Sequence, residues 1–86
     1  MKTNPLLKQI VNLAEEKKAE DLVALNVSKI TSLSDYFVIC SANNLIQVKA
    51  IADNIKDNIK EKPWRTEGYQ NSNWIIIDYV DVVVHI

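Results

Sequence analysis

At 86 residues, 48% of them hydrophobic and 24% charged, the chain has room for one domain with one modest core and is too apolar to stay disordered. Its net charge of −1 argues against autonomous DNA or RNA binding, which shows a strongly basic face. One Cys excludes an internal disulfide framework and a Cys-based zinc site and fits a reducing cytoplasm, while one Gly and two Pro leave little scope for flexible linkers.

Met1-Lys2-Thr3-Asn4-Pro5 has neither the apolar run of a signal peptide nor the Arg- and Ser-rich character of a transit peptide. The longest apolar run, Tyr36–Cys40, falls far short of the ~20 residues that span a bilayer, so no membrane partner is expected. Asn4-Pro5 reads as a helix start, since Asn caps and Pro gives up an N–H that is unpaired there anyway. Leu6, Leu7, Ile10, Val11 and Ala14 then repeat at helical spacing until Glu15-Glu16-Lys17-Lys18. Over Asp21–Val27 the period changes: Val23, Leu25 and Val27 alternate, which predicts a strand with these three on its better-buried face. Ser28 to Ser34 is a polar connection. Asp35–Cys40 is continuously apolar after its first residue, the pattern of a strand covered on both faces.

Ser41-Ala42-Asn43-Asn44 supplies cap chemistry for a second helix, whose stripe is Val48, Ile51, Ala52, Ile55 and Ile59 and which stops before Pro63. Trp64–Glu67 reads as a short strand ending at Gly68, and Gln70-Asn71-Ser72-Asn73 as a turn. Trp74–Tyr79 and Val82–Ile86 are two strongly β-prone runs. The order α-β-β-α-β-β-β predicts an α/β (α+β) fold: one compact domain with a mixed sheet of about five strands and two helices packed on it.

Candidate chemistry is thin. Asp78 and Asp81 suggest a carboxylate pair for Mg²⁺, but their i, i+3 spacing across a turn and the lack of a Gly-rich phosphate loop favour turn or contact roles. His85 has no nucleophile or orienting carboxylate identifiable beside it, which favours a packed or edge-strand histidine over a catalytic base. Cys40 ends the most apolar strand, where an inert buried thiol is expected. Lys49, Lys56 and Lys60 interleave with Asp53, Asp57 and Glu61, the pattern of a solvated helix face. Neither cofactor nor metal is implied. The unusual segment is Trp74–Tyr79. In a strand Trp74, Ile76 and Asp78 point one way and Ile75, Ile77 and Tyr79 the other, so both faces carry large groups. A small sheet with two helices cannot easily cover both, and an apolar face rimmed by Asp is typical of a contact surface.

Three segments in order carry a family resemblance: Lys17-Lys18-Ala19-Glu20-Asp21; Ser34-Asp35-Tyr36-Phe37-Val38-Ile39 with Gln47–Asp53; and Trp74–Tyr79 with Asp81-Val82-Val83-Val84-His85. Together they resemble the ribosomal silencing factors, or Iojap-like proteins, over essentially the whole chain. The resemblance implies one domain over 1–86 with a topology related to nucleotidyltransferases but no catalysis. It implies binding to the large ribosomal subunit through its protein fourteen, steric blocking of small-subunit joining, and a part in large-subunit biogenesis. It also assigns Trp74, Ile76, Asp78 and Tyr79 to that contact.

Three departures stand out. Val80 occupies a turn position where the family usually has Gly, and a β-branched residue disfavours the positive φ such a turn uses. Ala42 and Ile46 stand where Gly and Arg are frequent. The family's Phe-Pro-containing, acidic and aromatic C-terminal tail does not follow Ile86, so any contact it makes would be lost. Two rival readings remain open at this point. One is a nucleotidyltransferase-like enzyme or nucleotide-binding protein using Asp78 and Asp81. The other is a homodimer formed through the last strand as an open sheet edge.

Overall fold

A computed structural model describes residues 5–70 and 73–86. Helix α1 (Pro5–Glu16) is followed by strands β1 (Glu20–Asn26) and β2 (Tyr36–Ser41), helix α2 (Leu45–Asn58), and strands β3 (Arg65–Glu67), β4 (Ile76–Asp78) and β5 (Val82–His85). The expected order is the observed one. The proposed Asn4 cap lies outside the described residues, as do Asn71 and Ser72 of the expected turn.

Helix α1 ends in a Schellman motif: Ala19 N–H donates to Ala14 O and Lys18 N–H to Glu15 O, with Lys18 at φ 61. Helix α2 starts at Asn44, whose side chain accepts from Gln47 N–H at 2.8 Å. Gln47 then ties the helices together, its Nε2 donating to Lys17 O and Lys18 O. Asn54 Nδ2 does the same for Leu13 O at 2.8 Å. Side chains of α2 thus satisfy carbonyls at the end of α1 that its own ladder leaves free.

The strands form one mixed sheet in the order β1-β2-β5-β4-β3, with β2 and β5 parallel and the other neighbours antiparallel. The β2–α2–β3 connection therefore passes over two strands before laying β3 at the far edge. This corrects one sequence-based expectation. The last strand is interior, hydrogen-bonded on both sides, and the open edges are β1 and β3, so β5 offers no edge for pairing with a second copy.

Both helices lie on one face. Ile10 and Ala14 of α1 and Val48, Ile51, Ala52 and Ile55 of α2 join Val38, Cys40, Ile75, Ile77, Tyr79, Val82 and Val84 in a single buried cluster, with Ile59 at the helix end. The stripe read from periodicity on α2 is buried at every position. Strand β2 is interior to the sheet as expected, but it is not covered on both faces: Ile39 is 41% exposed. Nor is the Val23/Leu25 stripe of β1 the better-buried one. Both are exposed, and only Val27 beyond the strand is buried. The physical reason is helix supply. Two helices cover one side of a five-stranded sheet, and these alternating positions fall on the other.

Candidate functional site

That other side carries the site. Strand register aligns Leu25, Phe37, Val83, Asp78 and Arg65 in one row across the sheet, and Val23, Ile39, His85, Ile76 and Glu67 in the next. Directly paired residues share a face. The uncovered surface is therefore apolar over β1, β2 and β5 and charged toward β3. Above it lies an open concavity of about 790 Å³, with Phe37, Val83, His85 and Ile76 along its floor. Its rim holds Ile30 (84% exposed), Leu33 (80%), Trp64 (70%) and Val80 (50%). Four large apolar groups so exposed around one hollow are the signature of a surface meant to be covered.

The rim is fixed by hydrogen bonds of the main chain and of the Asn26 side chain. Asn26 Oδ1 accepts from Ser28 N–H at 3.0 Å, ending β1. Ile30 and Thr31 N–H groups donate to Val27 O, closing a turn on the buried Val27. The N–H groups of Asp35 and Tyr36 both donate to Asp81 O, which locks the 27–35 segment to the β4–β5 turn. In that turn Asp81 N–H donates to Tyr79 O at 3.0 Å while Val80 sits at φ 74, an i to i+2 turn of the strained, left-handed kind. The valine has not reshaped the turn away from positive φ, contrary to what its side chain predicts.

Among the described residues, Asp78 is the one charged group both on this face and buried. Its Oδ1 accepts from Val80 N–H at 2.7 Å, and its Oδ2 lies 3.5 Å from Arg65 Nε. Arg65 makes its tighter ion pair with Glu67, and its guanidinium also lies 5.6 Å from the Trp64 ring centroid. The long Arg65 contact leaves Asp78 Oδ2 with spare acceptor capacity. His85 packs edge-on to Phe37, with ring centroids 5.4 Å apart, and its Nε2 is buried without a hydrogen-bond partner. Burial lowers its pKa, with the Asp78 charge opposing. The imidazole is thus neutral at pH 7 and extends the apolar floor.

Of the expected contact residues, the structure brings Ile76 and Asp78 together on the open face. Trp74 precedes β4, 53% exposed, and flanks a smaller hollow with Tyr69 and Glu67, its carbonyl packed against Gly68. Tyr79 points the opposite way, into the helix-covered core at 8% exposure, its hydroxyl without a hydrogen-bond partner. Asp81 is exposed and takes part in the turn through its main chain; it does not line the hollow with Asp78. Among the described residues no group of three or more His, Cys, Asp or Glu could hold a metal ion, and no helix is long and apolar enough to cross a membrane. Sequence reasoning missed Phe37, Val83, Ile30, Leu33 and Trp64 as site members. The signal available was the excess of apolar strand faces over helices to cover them.

Residues 1–86 match the family described as ribosomal silencing factor during starvation. The chain belongs to the ribosomal silencing factor family. It is 43% identical to a ribosomal silencing factor of Halalkalibacterium halodurans, covering all of this chain and 76% of that protein, and 38% identical to that of Bacillus subtilis, covering 75%. Its backbone superposes on a crystal structure of a protein from Chromobacterium violaceum with a TM-score of 0.92 at 31% identity, over 99% of this chain and 73% of that one. As a ribosomal silencing factor, the chain is a non-enzymatic regulator that represses translation.

Proposed function

We propose that this silencing factor works in the cytoplasm by binding the large ribosomal subunit through that subunit's protein fourteen and sterically blocking small-subunit joining, with a further part in large-subunit biogenesis. The observation that supports a docking role is the uncovered apolar sheet face with its hollow and the single buried carboxylate of Asp78. A net charge of −1 does not favour RNA as the main contact, which supports a ribosomal protein in that role. Ile76 and Asp78 meet the partner directly in this reading. Trp74 extends the contact at one end of β4, and Tyr79 holds the β4–β5 turn from beneath. The topological kinship with nucleotidyltransferases belongs to the same reading, with the fold kept and the chemistry absent.

Occlusion needs no reaction. A rigid domain seated where intersubunit bridges form prevents joining for as long as it stays bound. The test is a sucrose-gradient association assay at joining-permissive Mg²⁺. Excess protein should co-sediment with large subunits and hold subunits apart. Unchanged joining with saturating protein would refute it.

A further inference from the structure

The β4–β5 turn carries a backbone strain that the half-exposed side chain of Val80 offsets only in part. Val80 holds φ 74, a region that excludes β-branched side chains more strongly than any others. Three bonds keep it there: Val80 N–H to Asp78 Oδ1, Asp81 N–H to Tyr79 O, and Tyr79 N–H to Val82 O. Each uses backbone groups or the Asp78 side chain, so a glycine could make all three. The valine side chain gains only partial burial in exchange, being 50% exposed on the rim of the hollow. Strain that persists with so little internal offset points to a function outside the fold. We propose that Val80 is an affinity- and specificity-determining contact of the docking face: a methyl pair held above Asp78 by a strained turn, where it meets an apolar group of the protein partner while a neighbouring basic group reaches Asp78 Oδ2.

The inference rests on the docking reading above, and its test separates the two. Large-subunit binding and thermal stability are measured for the wild type, Val80→Gly, Val80→Ala and, as a control on the face itself, Ile76→Asp. Val80→Gly should melt about 4 °C or more higher, because relieved strain exceeds the entropy cost of glycine. It should also bind about fivefold more weakly, the worth of half a valine side chain covered on docking. Val80→Ala should lose a similar factor in binding with a smaller gain in melting temperature. A Val80→Gly protein that binds like the wild type, or melts lower, overturns the inference even where Ile76→Asp abolishes binding. If folded Ile76→Asp binds like the wild type, the docking reading itself falls, and the assignment of Val80 with it.

Discussion

Ile76 and Ile77 are neighbours in one strand, identical in chemistry and opposite in role. Ile77 is fully buried under the helices, whereas Ile76 lies partly exposed on the open face. Truncating Ile77 to Ala removes three carbons from a packed interior, about 2.4 kcal/mol of transfer free energy before any cavity penalty, and about 2–5 in all. A domain of this size has only about 4–13 kcal/mol in total. Ile77→Ala should therefore lower the melting temperature by roughly 8–40 °C, at about 4–8 °C per kcal/mol. Ile76→Ala leaves no internal cavity and should cost under about 1 kcal/mol in stability. Its loss should appear in binding to large subunits, by about 1–3 kcal/mol, the range for an interface core position. Urea denaturation separates the two, because the midpoint reports stability while an unchanged slope certifies an unchanged fold. Equal destabilisation by both substitutions would refute the one-sided core. Normal large-subunit binding by folded Ile76→Ala would refute the docking face.

Trp74 and Tyr79 divide in the same way: Trp74→Ala should keep its fold and weaken large-subunit binding by about 1–3 kcal/mol, while Tyr79→Ala should cost about 3–5 kcal/mol of stability. Tyr79→Phe should be neutral or slightly stabilising, since its hydroxyl has no hydrogen-bond partner to lose, and a large destabilisation measured by urea melts would show otherwise. Alkaline pH should weaken the fold. Burial pushes the Cys40 thiol from 9.0 up to about 11 and the Tyr79 phenol from 10.0 up to about 12, so above pH 9 the unfolded chain releases protons that the folded one retains. Stability from these groups is intact below pH 9 and declines toward pH 12; Cys40→Ala with Tyr79→Phe should flatten that decline in a pH series of urea melts.

The sequence made the elements readable because each depends on local pattern. The α2 stripe and the parity of Ile75, Ile77 and Tyr79 against Ile76 and Asp78 follow from periods of 3.6 and 2, and the cap from the residue types of the Ser41–Asn44 segment, of which the structure uses Asn44. Strand order and face assignment depend instead on where α2 crosses. Its passage over two strands put β5 in the sheet interior, where local pattern had suggested an edge. Val23 and Leu25 misled for a related reason, since alternation identifies an apolar face without saying which face the helices cover. The site was legible only through β4. Phe37, Val83 and His85 come to it from other strands by register, and Ile30 and Leu33 from a segment whose composition reads as an ordinary polar loop.

The layout of the open face bears on how a protein without chemistry can act specifically. Leu25, Phe37 and Val83 run across one row to Asp78 and Arg65, and Val23, Ile39, His85 and Ile76 across the next to Glu67. The surface therefore has a direction, apolar at the β1 edge and charged at the β3 edge. A partner offering an apolar patch beside a basic group fits in one orientation. Turned half a circle, the same partner would bury its cation against Val23 and Leu25 and leave Asp78 covered and unanswered, which costs several kcal/mol. If the factor works by occupying space, as proposed, pose matters as much as affinity, because a domain bound in the wrong orientation leaves the joining surface open. In the proposed occlusion mechanism the apolar rows would supply adhesion, and the carboxylate at their end would select the orientation in which adhesion becomes occlusion.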